Sequence, residues 1–277
     1  MFSPIIWRRL GIGLKIQDLT DIFFDKIIQL IQKYYMPNDY LCKLFNIIDD
    51  ESSVCTYSNH IYNNLWDFKS IIALDERNHN KIAGVLVLRK VTLFEYGRAI
   101  SRASLVEGKS YIQMTEIANK LQKGIDVFDI FHCDQVLRYY LLCVLPEYRK
   151  MGTTQIIKID YFIDLSVGLG MNLFDVAIDV ARMYQIPVVI HFSDHVGLKN
   201  VAQRVQMEVV NELEFCKIEG LESGLIRKGD MFSYMAGKVP PEPIPEPLKK
   251  PDDGKKKGKK GKKGKKGKKE KKGKKKK

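Results

Sequence analysis

The 277-residue sequence has few cysteines, and none of the five stands in a CxxC pair. Because disulfide frameworks and zinc sites need paired or clustered cysteines, this scatter argues against both and favours a reducing intracellular compartment. The chain also lacks an apolar run of the roughly 20 residues that a membrane-spanning helix needs. Its N-terminus has only short, interrupted apolar runs, unlike a secretory signal. We therefore expect a cytoplasmic protein without a transmembrane segment.

An excess of positive charge is present only at the C-terminal end, although the whole chain carries +13. Residues 249–277 contain 19 lysines and three acidic residues, a charge of +16, which leaves −3 for residues 1–248. Attraction to polyanions is therefore expected of the tail and not of the remaining chain.

Composition divides the chain into three segments. Residues 1–238 carry the apolar residues and predict one folded domain. Residues 239–254 contain alternating prolines, which predict an extended linker. Residues 255–277 are runs of lysine and glycine, which predict a disordered tail. Such a tail binds RNA, acidic protein tails or acidic lipid surfaces nonspecifically, and it could also direct the protein to the nucleus.

Within the predicted domain, β-rich runs and helical patterns follow each other in mixed order. The patterns predict one strand in residues 5–18, a hairpin of 70–75 and 82–89, and strands in 137–144, 188–192, 207–218 and 231–237. They predict helices in 21–35, from residue 40, in 101–124, 168–184 and 196–206, with a loop at the break of residues 37–39 and a polar stretch at 49–53. We expect an α/β fold with helices on both faces of a mixed, mostly antiparallel sheet.

The most specific motif is LRYYLLCVLPEYR at 137–149. It resembles the fourth strand of the GNAT acetyltransferase superfamily and its pyrophosphate loop. Together with YYMPNDYL at 34–41, it is similar to the insect arylalkylamine (dopamine-type) N-acetyltransferase branch over about residues 12–218. The resemblance implies a GNAT fold that transfers an acetyl group directly from acetyl-CoA to an amine. It also implies contacts of acetyl-CoA with the strand residues Leu142, Cys143 and Val144.

The family's phosphate-binding pattern, [RQ]-x-x-G-x-[GA], occurs here as two partial matches. Residues 149–154 supply Arg149 and Gly152, but a threonine ends the match. Residues 165–170 supply Gly168 and Gly170 without the arginine. Backbone N–H groups at a glycine-containing helix start bind phosphate. The site is either a composite, with Arg149 and the amides of Gly168, Leu169 and Gly170 around an insertion, or a damaged one.

The resemblance also suggests catalytic groups. Asp39 falls where the related enzymes carry a glutamate that acts as base, although an aspartate there is equally suited to cap the next helix. Ser193 and His195 are the nearest candidates for a donor to the departing thiolate, and plain turn and cap chemistry is the alternative. The family's tyrosine position holds Ala202, and its Gly-Phe pair is replaced by Gln206-Met207.

No metal site is predicted, since the histidines lack partners at metal-binding spacing. The leading hypothesis is an acetyl-CoA-dependent amine N-acetyltransferase. The alternative is a GNAT-fold pseudoenzyme that is held at an anionic partner by its polylysine tail.

Overall fold

The computed structural model describes residues 3–95, 107–149, 168–218, 221 and 224–242. Gly152, most of the phosphate-pattern match at 149–154 and the Lys-rich tail lie outside these residues. The described residues form part of one compact unit that extends to Glu242. None of the helices in this described part is long and apolar enough to cross a membrane.

The strands form a single mixed sheet, in the order β1-β2-β3-β4-β5-β6-β8-β7. Neighbouring strands are antiparallel except β5 and β6, which run parallel. In the described residues the strands are β1 (Ile6–Leu10), β2 (Leu14–Asp18), β3 (Ile71–Asp75), β4 (Lys81–Thr92), β5 (Gln135–Val144), β6 (Val188–Ser193), β7 (Glu208–Glu214) and β8 (Met231–Lys238).

Helices cover both faces of the sheet. Because side chains alternate along a strand, Ile72 and Leu74 of β3 enter the core on one face while Ile71 and Ala73 enter the core on the other. The first face packs against α1 (Phe24–Leu30), α2 (Tyr40–Leu44), α3 (Glu51–Leu65), α4 (Lys109–Gln122) and α5 (Val127–Phe131). The second face packs against α6 (Leu169–Met183) and α7 (Val196–Arg204). The predicted fold class is confirmed.

Most of the predicted elements are present. The hairpin of residues 70–75 and 82–89 is β3 and β4, the strands at 137–144 and 188–192 are β5 and β6, and the helix at 168–184 is α6. Val239 continues from β8, and its N–H donates to the carbonyl of Pro187. Arg182 then donates to the carbonyls of Pro240 and Pro241, so the first linker residues lie against the end of α6.

The prediction of one strand over residues 5–18 was wrong. The segment is a hairpin, in which the N–H of Gly13 donates to the carbonyl of Leu10 at 3.0 Å. Gly13 has a φ of +79°, and the Nε atom of Arg77 lies 2.6 Å from where a Cβ would stand. The glycines were therefore the turn itself and not an irregularity within one strand.

The polar stretch at residues 49–53 was not assigned to a helix or strand, and it is the start of α3. The Asp50 side chain accepts hydrogen bonds from the N–H of Ser53 at 3.2 Å and from its hydroxyl at 2.7 Å. This aspartate satisfies donors that a helix start leaves unpaired. The acidic cluster is thus a helix cap, and the helix behind it was missed.

Candidate active site

The sheet opens into a cleft between β5 and β6. The two strands pair only from Val136 with Val188 to Tyr139 with His191. Beyond Tyr139, β5 pairs with β4 alone, and beyond His191, β6 pairs with β8 alone. We call the space between residues 140–144 of β5 and the end of β6 the cleft. Crevices at the carboxyl ends of parallel strands are where open α/β sheets bind ligands.

A β-bulge at Tyr140 coincides with this separation. In β4, Val87 faces Leu141 and Leu88 faces Tyr139, so Tyr140 is an extra residue in β5. A bulge bends its strand and increases the local twist. The bend turns the end of β5 away from β6 and accounts for the cleft.

Aromatic side chains line the first face of the sheet beside the cleft. The ring of Tyr140 stacks on His60 with centroids 5.3 Å apart, and Tyr57 stacks on Tyr111 at 5.1 Å. Burial raises the pKa of Tyr57 and of Tyr111 well above the usual value, so both hydroxyls are neutral. This surface suits an apolar or aromatic ligand with a few polar groups.

Two carboxyl groups meet at the end of β6. Asp39 caps α2 by accepting from the N–H of Cys42 at 2.9 Å, and Asp194 accepts from the N–H of Leu41 at 3.3 Å. The two side chains are hydrogen-bonded to each other. Burial, followed by the charge of Asp39, raises the pKa of Asp194 to about 8. Because two adjacent carboxyls do not both ionise readily, the pair retains one proton near neutral pH.

The predicted residues Ser193 and His195 flank Asp194 and bond to neighbouring backbone. The Ser193 hydroxyl donates to the carbonyl of His195 at 2.9 Å, and Nδ1 of His195 accepts from the N–H of Gly197 at 2.9 Å. Ser193 is buried, whereas His195 is exposed and caps α7. These are the turn and cap contacts of the alternative interpretation. Their catalytic roles stay predictions, as does that of Asp39.

The predicted acetyl-CoA residues come together on two elements. Leu142 and Val144 lie on the second face of β5, where α6 packs, and Cys143 is buried on the first face. Gly168 precedes α6, and a Cβ on Gly170 would stand 3.1 Å from Cδ2 of Leu142. The start of α6, including Leu169, therefore lies against the second face of β5. Because Gly168 carries no side chain to cap the helix, the first-turn N–H groups have no side-chain cap within the described residues, and such groups are suited to an anionic ligand.

Arg149, the predicted cation of the composite phosphate site, lies just beyond β5. Its Nε donates to the carbonyl of Val144 at 2.8 Å. Such a contact holds the guanidinium near the end of the strand. Its role toward phosphate stays a prediction.

Residue 206 departs from the family pattern without changing the backbone. Gln206 ends α7 with a φ of +65°, a conformation that glycine adopts freely and other residues adopt rarely. The glycine of the family pattern is therefore replaced at a position that keeps a glycine-like conformation. Ala202, by contrast, is fully buried and offers no hydroxyl.

His191 is a core residue. Its Nδ1 lies 3.0 Å from the carbonyl oxygen of Tyr139, and burial lowers its pKa to about 4. The neutral ring packs edge-on against Phe174. Across the described ranges, no group of three or more His, Cys, Asp or Glu side chains is arranged to hold a metal ion.

The sequence analysis missed Asp194, although it singled out the residues on both sides of it. The signal available was a carboxylate directly after a buried strand, since strand ends carry many functional groups. Its pairing with Asp39 is a contact between distant parts of the chain, which spacing along the sequence does not reveal.

No protein-family model and no curated protein matches this sequence. Solved structures do match. Arylalkylamine N-acetyltransferase 2 from Aedes aegypti aligns with a TM-score of 0.67 and 13% identity, over 82% of this chain and 100% of that one. A Drosophila melanogaster polyamine N-acetyltransferase aligns with a TM-score of 0.60 and 14% identity, over 81% and 98%. At such identities the likeness defines the fold, and the chain has the GNAT N-acetyltransferase fold in the form seen in the insect arylalkylamine and polyamine enzymes.

Proposed function

We propose that the protein transfers an acetyl group from acetyl-CoA to the nitrogen of an amine. The observation that carries this proposal is the Asp39–Asp194 pair at the end of β6, beside the cleft between β5 and β6. The similar solved structures are named for arylalkylamine and polyamine N-acetylation, which supports the same reaction class for this fold.

The carboxyl pair suits the first requirement of this chemistry. Alkylamines are protonated near neutral pH and must lose a proton before the nitrogen becomes a nucleophile. A base is most effective when its pKa lies near the working pH, and the raised pKa of Asp194 meets that condition. The reactive form of the pair is the one in which Asp194 has lost its proton, because this form can take a proton from the bound ammonium and a pKa of about 8 makes it accessible near neutral pH.

The cleft and the start of α6 suit the second substrate. Acetyl-CoA would supply the acetyl group in the form of a thioester. Residues 140–144 of β5 have no partner in β6, so their edge of the sheet faces the cleft. The N–H groups of Leu169 and Gly170 begin α6 and are suited to the pyrophosphate.

The pseudoenzyme remains a second candidate because of one observation. At the position where the family pattern has a tyrosine, this chain has Ala202, which is fully buried. If no other group protonates the departing thiolate, the domain would bind acetyl-CoA and turn over slowly. The lysine-rich tail would then hold the domain at an anionic partner by a salt-dependent attraction.

Calorimetric titration of acetyl-CoA into a chain ending at Glu242 distinguishes the candidates. This end point keeps the contacts of Arg182 with Pro240 and Pro241 while it removes the tail's attraction for phosphates. We expect one-to-one binding in the micromolar range, followed by acetyl transfer in a screen of amines. Binding without transfer would favour the pseudoenzyme, and no binding at millimolar acetyl-CoA would refute the proposal.

The tail is tested by comparing the full chain with the chain ending at Glu242 on heparin at increasing salt. We propose that only the full chain is retained, with an affinity that falls steeply as salt increases. Equal retention of the two chains would exclude the tail as the polyanion-binding segment.

A further inference from the structure

Arg138 points into the region where β5 and β6 separate. It lies on β5, two residues before the bulge at Tyr140. Its guanidinium carbon is 4.9 Å from the centre of the Tyr140 ring and 4.4 Å from the centre of the Phe192 ring. These two rings belong to β5 and β6 and lie on the first face of the sheet, so the guanidinium lies on that face beside the cleft.

No acidic partner accompanies this arginine. In the part of the chain that the structure describes, Arg138 takes part in no ion pair, and its buried Nε has no hydrogen-bond partner. Its charged neighbour is another arginine, Arg89, which bonds to Asn64 at 3.2 Å and lies 3.8 Å from its own counter-ion Asp67. Arg138 as a whole is half-buried, and a cation that is partly withdrawn from water without a counter-ion is costly, so such charges are normally paired.

The groups around Arg138 are suited to an anion. Burial raises the pKa of both Tyr111 and Tyr140, so their hydroxyls stay neutral and can donate to a ligand. Burial, and then the charges of Arg138 and Arg89, lower the pKa of His60 to about 4. The described surroundings therefore contain uncharged donors and two cations, and they supply no carboxylate to Arg138 itself.

We propose that the acceptor is an amino acid or a similar molecule, whose carboxylate binds Arg138 while its amine faces Asp39 and Asp194. This inference rests on the proposed acetyl transfer and specifies its substrate class. Arginine binds a carboxylate through two parallel hydrogen bonds, which suits the planar end of such a molecule.

The spacing along β6 agrees with a short acceptor. Phe192, whose ring covers the guanidinium, precedes Asp194 by two residues, which is about 7 Å of strand. Two charged ends a few bonds apart can reach both groups. An amine without a carboxylate would satisfy the acidic pair and leave Arg138 unpaired, and this difference favours the zwitterion.

The test is acetyl transfer by the full chain to matched acceptors with and without a carboxylate. Suitable pairs are tyrosine and tyramine, β-alanine and ethylamine, and γ-aminobutyrate and propylamine. We expect at least about a tenfold higher kcat/KM for the carboxylate-bearing member of one pair. In Arg138→Gln that preference should disappear through a higher KM for the carboxylate-bearing member, whereas Arg204→Gln, changed at an exposed position on α7, should keep it. Arg138→Lys should restore part of the preference, because it returns the charge without the two-pronged geometry.

The possible results distinguish a failure of the acceptor inference from a failure of the proposed acetyl transfer. Equal or faster acetylation of the plain amines, unaffected by Arg138→Gln, would overturn the inference and leave the proposed function standing. Absence of product from every acceptor, with acetyl-CoA bound, would overturn the proposed function, and the inference would fall with it.

A melting experiment without turnover provides an independent readout. Removal of a half-buried cation that has no counter-ion should raise the melting temperature, so Arg138→Gln should melt above the wild-type chain. Arg204→Gln is the matched control, since Arg204 is exposed on α7. A lower melting temperature for Arg138→Gln than for Arg204→Gln would show that the protein already satisfies the guanidinium, and the inference would fail.

Discussion

Asp39, which precedes α2, is hydrogen-bonded to Asp194, which follows β6. The contact joins the helical layer on the first face to the strand that borders the cleft. It places two carboxyl groups side by side and away from solvent, where the protonation of one depends on the charge of the other.

Replacing either aspartate should slow turnover. We expect Asp39→Asn or Asp194→Asn to lower kcat at least tenfold, about 1.4 kcal/mol of barrier, because the amine then lacks its base. Affinity for acetyl-CoA should be unchanged. The measurement is steady-state acetylation together with calorimetric titration.

Asp25→Asn is the matched control for charge, since Asp25 is exposed in the first turn of α1. An Asp39→Asn rate equal to that of the wild type would remove Asp39 from the mechanism. An unchanged rate in Asp194→Asn would do the same for its partner.

The raised pKa of Asp194 predicts that stability decreases as pH rises. In the unfolded chain an aspartate loses its proton near pH 4, about its ordinary pKa, whereas in the folded protein Asp194 keeps its proton to about pH 8. Between these values the unfolded state binds fewer protons, so the free energy of unfolding falls with increasing pH. Asp194→Asn should remove this fall.

Urea unfolding of both chains from pH 5 to pH 9 measures the effect. We expect the stability advantage of Asp194→Asn to grow up to about pH 8 and then become constant. A difference between the two chains that does not vary with pH would contradict the raised pKa.

Gly168 provides a test of the phosphate site that leaves the fold intact. None of the described atoms outside its chain neighbours lies within 4 Å of where its Cβ would stand. Gly168→Val should therefore preserve the melting temperature, while the added side chain blocks a ligand at the start of α6. We expect acetyl-CoA affinity to fall at least tenfold, about 1.4 kcal/mol.

Gly11→Ala is the control for this experiment, because Gly11 lies in the turn between β1 and β2 and also has open space around it. Unchanged acetyl-CoA binding by Gly168→Val would place the pyrophosphate elsewhere.

Gln206→Gly should stabilise the protein. The left-handed conformation costs a residue with a Cβ roughly 1–2 kcal/mol, and glycine's greater freedom in the unfolded chain offsets part of the gain. We expect an increase of about 0.5–1 kcal/mol in the free energy of unfolding, measured with urea. Gln203→Gly, inside α7, should instead lose about 1 kcal/mol. A loss of stability in Gln206→Gly would show that the Gln206 side chain makes a stabilising contact.

The fold was largely predictable because its strongest signals are local. The β5 segment is a run of apolar and aromatic residues that Pro146 ends, and α6 has an apolar face of consistent helical spacing. The hairpin at Gly13 was misinterpreted and the cap at Asp50 was missed, because glycine and acidic residues serve several local structures. Only the surrounding chain, such as Arg77 beside Gly13, decides between them.

The candidate site was less predictable because its properties arise from tertiary contacts. Asp39 was proposed because of the family resemblance. Its pairing with Asp194 could not be predicted, because it depends on the packing of α2 beside the end of β6. Arg138 lies inside the most specific motif of the sequence. Its lack of an acidic neighbour in the described structure depends on side chains from α3, α4 and β6, which no spacing within the motif encodes.

The short pairing of Val136–Tyr139 with Val188–His191 also bears on how the molecule withstands unfolding. It divides the sheet into one antiparallel block of β1 to β5 and another of β6, β8 and β7. Among the described residues, strand hydrogen bonds join these blocks only along that seam. A ligand bound between the separated ends of β5 and β6 would contact both blocks. Its binding would make the two blocks unfold as one cooperative unit.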